Sequence, residues 1–169
     1  GPRTVVLGLG NELAGDDAIG LLAARTLHGE LDPSVDVVES SASGLALIEV
    51  LAGYDRAVVI DAISTGRTPP GTIVEMGLEE VGRVVAPSVH QAGLPELAAV
   101  AARLGLRFPG QTRVIAVEVE DPYTLGAGLS EPVAAVRDEL VARVRDAVDR
   151  WEREDPGREP CTTSTPSRR

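Results

Sequence analysis

At 169 residues and 43% hydrophobic, the chain is long enough for one domain with a sizeable core and has the composition of a soluble globular protein. Its formal net charge is −10, and all 16 basic residues are Arg, so it lacks the basic face that a nucleic-acid binder needs. The single cysteine, Cys161, excludes an intramolecular disulfide and a thiolate metal cluster, and no run approaches the roughly 18 apolar residues of a membrane span.

Gly1-Pro2, with no initiator Met, reads as a remnant of tag removal and is set aside. No signal peptide is visible, which makes the cytoplasm the expected compartment. Thr4–Leu7 is a short apolar run that predicts a buried strand. The glycine-rich turn Gly8-Leu9-Gly10-Asn11 follows, then the adjacent carboxylates Asp16 and Asp17. A helix is expected over Asp16–His28, with Ile19, Leu22, Ala23 and Leu27 on one face and Gly29 as its stop.

Val35–Glu39 predicts a second strand, and the Ser-rich segment from Ser40 to Ser43 leads into a helix over Gly44–Ala52. Arg56–Ile60 is almost wholly apolar, which suits a central strand covered on both faces and ending at Asp61. Thr68-Pro69-Pro70-Gly71 is a turn signal. Thr72–Met76 then reads as a strand, antiparallel at an edge. Val81–Val89 is less regular. Pro95–Leu104 predicts a helix, with Pro at its start and Gly105 just past its end.

Arg113–Val119 is a further strand, and Glu120–Leu129 a loop. Ser130 stands where it can cap a last helix, in which Val133, Val136, Leu140, Val144, Ala147 and Trp151 recur at helical spacing. From Glu152 the chain turns polar and rich in Pro, Ser and Thr. The alternation of strands and helices predicts a single three-layer α/β/α domain over residues 3–151. Its sheet is twisted, five-stranded and mostly parallel but mixed. Residues 152–169 form a polar tail expected to be disordered.

In open α/β sheets, ligand groups gather at the carboxyl ends of the strands, which singles out the segment Gly8–Asp17 and Asp61. One reading is a nucleotide-binding Rossmann-like module: Gly8-x-Gly10 follows a strand, and Glu39 ends the next strand, about where a ribose-binding acid is wanted. Against it, Leu13 occupies the place of the third glycine, and Asp16 and Asp17 crowd the helix start where a pyrophosphate would sit. The bland reading of Asp16 and Asp17 is helix capping. His28 reads as a helix C-terminal residue. His90 differs, lying in the polar approach Ser88-Val89-His90-Gln91-Ala92-Gly93 to a helix.

Asp17, Asp61 and His90 all fall at element boundaries compatible with one rim of the sheet. Two carboxylates and an imidazole are a workable open set for a borderline divalent metal. No His-Glu-x-x-His motif is present, and none of Ser64, Ser88 and Ser130 sits in a Gly-x-Ser-x-Gly elbow.

The stretch VLGLGNELAGDDAIG resembles the N-terminal signature of the nickel–iron hydrogenase maturation endopeptidases, carried here by Gly8, Gly10, Asn11, Leu13, Asp16, Asp17, Ala18 and Gly20. A second element of that family, a strand ending in Asp-Ala with a later Pro-Gly, is matched by Val58-Val59-Ile60-Asp61-Ala62 and Pro70-Gly71. A third, Ser/Thr-x-His before a Leu-containing helix, is matched from Ser88 to Leu94. Gly128-Leu129-Ser130 matches a fourth. The resemblance runs from about Arg3 to Trp151 and places the family's metal-contacting and catalytic residues on Asp17, Asp61 and His90.

It implies a metal-dependent endopeptidase of aspartic or metallo type. The substrate would be a hydrogenase large-subunit precursor, from which a C-terminal extension is removed after nickel loading. The nickel would come with the precursor, held by its cysteines, and the enzyme would work as a monomer. Activation of a water and polarisation of the scissile carbonyl are both available to such a metal, and an Asp is available as base. An inactive assembly chaperone is the further alternative. One departure from the family pattern, the acidic run Glu118-Val119-Glu120-Asp121-Pro122, bears on the recognition surface.

Overall fold

A computed structural model of the protein describes residues 1–83, 93–126 and 128–155. The elements follow in chain order as β1 (Thr4–Leu9), a 3-10 turn (Gly15–Ala18), α1 (Ile19–Leu27), β2 (Val35–Ser40), α2 (Ala46–Leu51) and β3 (Arg56–Ile63). Then come β4 (Ile73–Gly77), α3 (Leu78–Val81), α4 (Leu94–Arg103), β5 (Gln111–Glu118), α5 (Glu131–Ala134) and α6 (Arg137–Glu154). The five strands form one sheet in the order β2-β1-β3-β5-β4. All neighbours are parallel except β4, which runs antiparallel to β5 with Ile73 opposite Val117.

The central strands read as nearly unbroken apolar runs because both sheet faces are covered. Side chains alternate between faces along each strand. Val6, Val58, Ile60, Ile115 and Val117 point to the side sealed by α1 and α6, where Ile19, Ala23, Leu27, Leu140 and Val144 meet them. Val5, Leu7, Ala57, Val59, Val114 and Ala116 point to the other side, covered by Leu47 and Leu51 of α2, Val81 of α3, and Leu94 and Leu97 of α4. This is the expected three-layer arrangement with a mixed five-stranded sheet.

At their carboxyl ends β1 and β3 run two or more residues further than the apolar pattern suggested, and both extensions matter. Gly8 and Leu9 belong to β1, not to a turn, because Gly8 stays in register with Glu39 and Ile60. Asp61 lies inside β3, not after it, because pairing with β5 continues to Ile63 opposite Glu118. The expected helix over Asp16–His28 divides into the 3-10 turn and α1. The last helix divides too, into α5 and α6, with a tightened link from the Val136 N–H to the Val133 carbonyl.

Helix α6 continues past Trp151 to Glu154. Arg56, at the start of β3, grips Asp155 at 2.7 and 3.1 Å and lies over the Trp151 ring. Residues 156–169 lie outside the described residues. Among the described residues, no helix is long and apolar enough to cross a membrane.

Candidate functional site

The site is built where chain order makes the sheet switch direction. From β1 the chain passes through α1 on one face to β2. From β2 it passes through α2 on the other face to β3. The crevice at the carboxyl ends of β1 and β3 is therefore the ligand position expected for an open α/β sheet.

Glycines bring the segments together there. A Cβ on Gly20, in the first turn of α1, would lie 2.3 Å from the Leu9 carbonyl oxygen and 2.4 Å from that of Ile60. A Cβ on Gly8 would lie 2.3 Å from the Gly20 carbonyl oxygen, and one on Gly10 would lie 2.1 Å from that of Asp17. The backbones at the start of α1, the end of β1 and the middle of β3 are thus in direct contact. The Ile60 carbonyl belongs to the peptide joining Ile60 to Asp61, so the start of α1 that follows Asp17 presses on the backbone that carries Asp61.

This contact disposes of the nucleotide reading. Gly10 packs on the Asp17 backbone of the acidic 3-10 turn, so this glycine serves a backbone contact where the nucleotide reading needs a phosphate cradle. Glu39, the candidate ribose acceptor, is taken up by Arg25 at 2.8 Å, with His28 3.6 Å away.

Asp17 is 6% exposed and Asp61 fully buried. One oxygen of each is fixed by a backbone N–H: Asn11 donates to Asp17 at 2.9 Å, and Ala62 donates to Asp61 at 2.8 Å. The Asn11 side chain in turn accepts from the Leu13 N–H at 3.0 Å, so this residue ties the loop to the carboxylate. By strand alternation, Asp61 shares the sheet face of Val59 and Ile63, the one covered by α2, α3 and α4. An open cleft of about 300 Å³ lies beside the loop, bordered by Gly10, Asn11, Arg25 and Ser40.

The structure therefore places Asp17 in the turn that follows β1 and Asp61 near the end of β3, the two strands that flank the crevice. His90, the third expected residue, lies outside the described residues, as do Ser88 and Gln91. The chain resumes at Gly93, whose left-handed backbone (φ +81°) opens α4. Among the described residues, no group of three or more His, Cys, Asp or Glu could hold a metal ion.

The capping reading of Asp16 fails. The residue preceding the 3-10 turn is Ala14, and no side chain caps that turn. Asp16 instead reaches across 114 residues of sequence to Ser130, accepting its N–H and its hydroxyl, both at 2.7 Å. The Ser130 hydroxyl is likewise not spent on capping α5. This link gives the two acids separate partners: Asp16 anchors the turn to Ser130, and Asp17 accepts from Asn11 in the loop after β1.

Glu118 carries a role that composition did not suggest. Read in sequence as part of an acidic surface run, it is the last residue of β5 and only 1% exposed. Its carboxylate accepts the Thr65 N–H at 2.9 Å and the Thr65 hydroxyl, holding the loop that leaves β3 after Ile63. The one available signal was its position at the end of an otherwise apolar run.

Fold and site thus define an α/β protein of the doubly wound kind, with two buried acids at its switch point. The chain matches the family model of the hydrogenase maturation proteases over residues 21–147. It belongs to that family. It is 32% identical over 140 residues to the hydrogenase expression/formation protein HupD of Rhizobium leguminosarum bv. viciae, covering 80% of this chain and 68% of that one. It is 29% identical over 152 residues to the hydrogenase 2 maturation protease of Escherichia coli K12, covering 86% of this chain and 90% of that protein. Among solved structures, it resembles the hydrogenase maturating endopeptidase HybD of E. coli with a TM-score of 0.77 at 28% identity, over 88% and 93% of the two chains. The hydrogenase maturation protease HybD of Thermococcus kodakarensis gives a TM-score of 0.67 at 27% identity, over 86% and 98%.

Proposed function

We propose that this protein is an endopeptidase that removes the C-terminal extension of a nickel-loaded hydrogenase large-subunit precursor, and that Asp17, Asp61 and His90 engage the nickel carried by that substrate. The observation that carries the reading is the pair Asp17 and Asp61. They come from the turn after β1 and from the end of the neighbouring strand β3, both buried, each with an oxygen fixed by a backbone N–H. Buried, pre-oriented carboxylates suit metal contact or proton acceptance better than they suit surface solvation. His90 joins them on the family resemblance. Gly93, three residues beyond it, opens α4, which covers the face that carries Asp61.

The chemistry of the donors fits a reader of metal. Carboxylate oxygens and one imidazole, with no thiolate, compete poorly for nickel already held by cysteine sulfur. Such a set contacts the ion without extracting it, so cleavage is tied to a loaded substrate. Nickel so placed serves as a Lewis acid toward water or a carbonyl oxygen. In the hydrolysis, the oxygen of water joins the scissile carbonyl carbon and the C–N bond breaks. One product gains a carboxylate and the other an amine. Asp17 and Asp61 are within this crevice to accept the proton that water gives up.

The test replaces the residues singly, as Asp17→Asn, Asp61→Asn and His90→Ala. Each folded variant is incubated with nickel-loaded precursor, and loss of the extension is followed by intact mass. Each variant is expected to lose more than the roughly 10–100-fold that removal of an outer-shell partner costs at a metal site. Full cleavage by all three refutes the assignment.

A further inference from the structure

The rim that carries Asp17 also displays apolar side chains that folding does not use. Leu13 is 72% exposed, Tyr123 70% and Leu125 72%. Single exposed leucines are ordinary. These three are set apart by how firmly their loops are held and by where the loops meet.

Leu13 sits in a turn closed by its N–H to the Asn11 side chain, and the Asn11 N–H holds the Asp17 carboxylate. The Leu13 carbonyl accepts from the Gly126 N–H at 3.0 Å, which joins this turn to the loop after β5. Within that second loop, Asp121 accepts from the Tyr123 N–H at 2.8 Å and from the Thr124 hydroxyl.

Apolar tips on braced loops are the make-up of a docking surface. Little order has to be gained on binding, and a few apolar or aromatic anchors carry most of the energy of an interface. We infer that Leu13, Tyr123 and Leu125 form the dock for the folded body of the precursor, beside the segment to be cut. The occupant follows from continuity with the site. Leu13 is four residues from Asp17 and tied to it through Asn11, so a partner seated on the patch lies beside the loop that holds Asp17. Exposed Glu120 and Asp121 border the patch, which favours a partner with an apolar centre and Lys or Arg at its edge. The inference rests on the endopeptidase reading and deepens it: the body of the substrate, not only its extension, is bound.

The experiment compares the wild type with Leu13→Ser/Tyr123→Ser/Leu125→Ser and with Leu104→Ser/Leu106→Ser. The second variant removes exposed leucines from the segment between α4 and the start of β5, at the opposite rim. Steady-state cleavage of nickel-loaded precursor and direct precursor binding by calorimetry are measured on all three. The rim variant is expected to raise KM about tenfold or more with kcat within about twofold, and to weaken binding in proportion. The opposite-rim variant is expected to match the wild type. If the triple variant does not fold, the three single variants are used, each raising KM about two- to fourfold. An unchanged KM in the rim variants, or an equal change in both sets, refutes the dock while leaving the endopeptidase reading intact. A wild type that neither binds nor cleaves precursor refutes both.

Discussion

Replacing Ser130 by Ala isolates the link that anchors the turn carrying Asp17. Asp16 is 7% exposed, and Ser130 gives it two hydrogen bonds of 2.7 Å. The substitution deletes the hydroxyl donor and leaves the N–H. A hydrogen bond to a charged group contributes about 1.5–3 kcal/mol net, and loss of one partner leaves a buried oxygen to be desolvated without return. No capping loss is added, because the Ser130 hydroxyl makes no cap hydrogen bond to α5. The expected cost is therefore about 2 kcal/mol, or roughly 4–8 °C in Tm for a domain of this size. Urea denaturation at pH 7 measures it, with an unchanged m-value showing that the unfolded state is not what altered. Ser130→Thr keeps a hydroxyl and is expected to recover most of the loss. A cost below about 0.5 kcal/mol, or equal losses for Ala and Thr, refutes the anchoring role.

Two further predictions concern the frame of the site. Gly20→Ala is expected to destabilise by at least about 2 kcal/mol, since overpacking against two carbonyls outweighs the roughly 1 kcal/mol that Ala gains over Gly in a helix; a stabilised variant in urea denaturation contradicts the close approach. Asp55 accepts the Arg3 N–H at 2.7 Å and the Arg107 guanidinium at 2.9 Å. The first contact is the larger cause and the second adds to it, and together they outweigh desolvation and hold its carboxyl below the usual range. A depressed folded-state pKa gives stability that is present above the unfolded value of about 3.9 and lost as pH falls through the lower folded value. Asp55→Asn should thus be less stable than the wild type at pH 7, with the gap closing below about pH 4; a gap independent of pH between 7 and 3 refutes this.

The sequence declares what periodicity controls and hides what distance controls. The central strands were legible because a strand buried on both faces must be apolar, and Ala57–Ile60 is. Its true end at Ile63 was not, because Asp61 is polar and only pairing with β5 keeps it in the sheet. The same holds for β1, where Gly8 and Leu9 read as a turn, yet Gly8 stays in register with β2 and β3 and Leu9 with β2. The glycines of that stretch were visible, but their meaning was not. A phosphate cradle and a backbone contact ask for the same residue type, and only the carbonyls of Asp17, Gly20 and Ile60 distinguish them.

The acids show the same divide. Asp16 and Asp17 are adjacent and chemically identical, so spacing alone assigns both to helix capping. What separates them is the partner. For Asp17 it is Asn11, six residues away and inside the motif. For Asp16 it is Ser130, 114 residues away, in a Gly-Leu-Ser segment whose place in the fold no local rule gives. The N-terminal signature and the late Gly-Leu-Ser element are therefore one structural unit. The second element secures the turn from which the first presents its carboxylate. The position of Asp17 is supported by Asn11 on its own loop and by the Asp16–Ser130 link on the neighbouring residue. That makes the geometry of the crevice a property of the folded chain, and not of the motif that first drew attention to it.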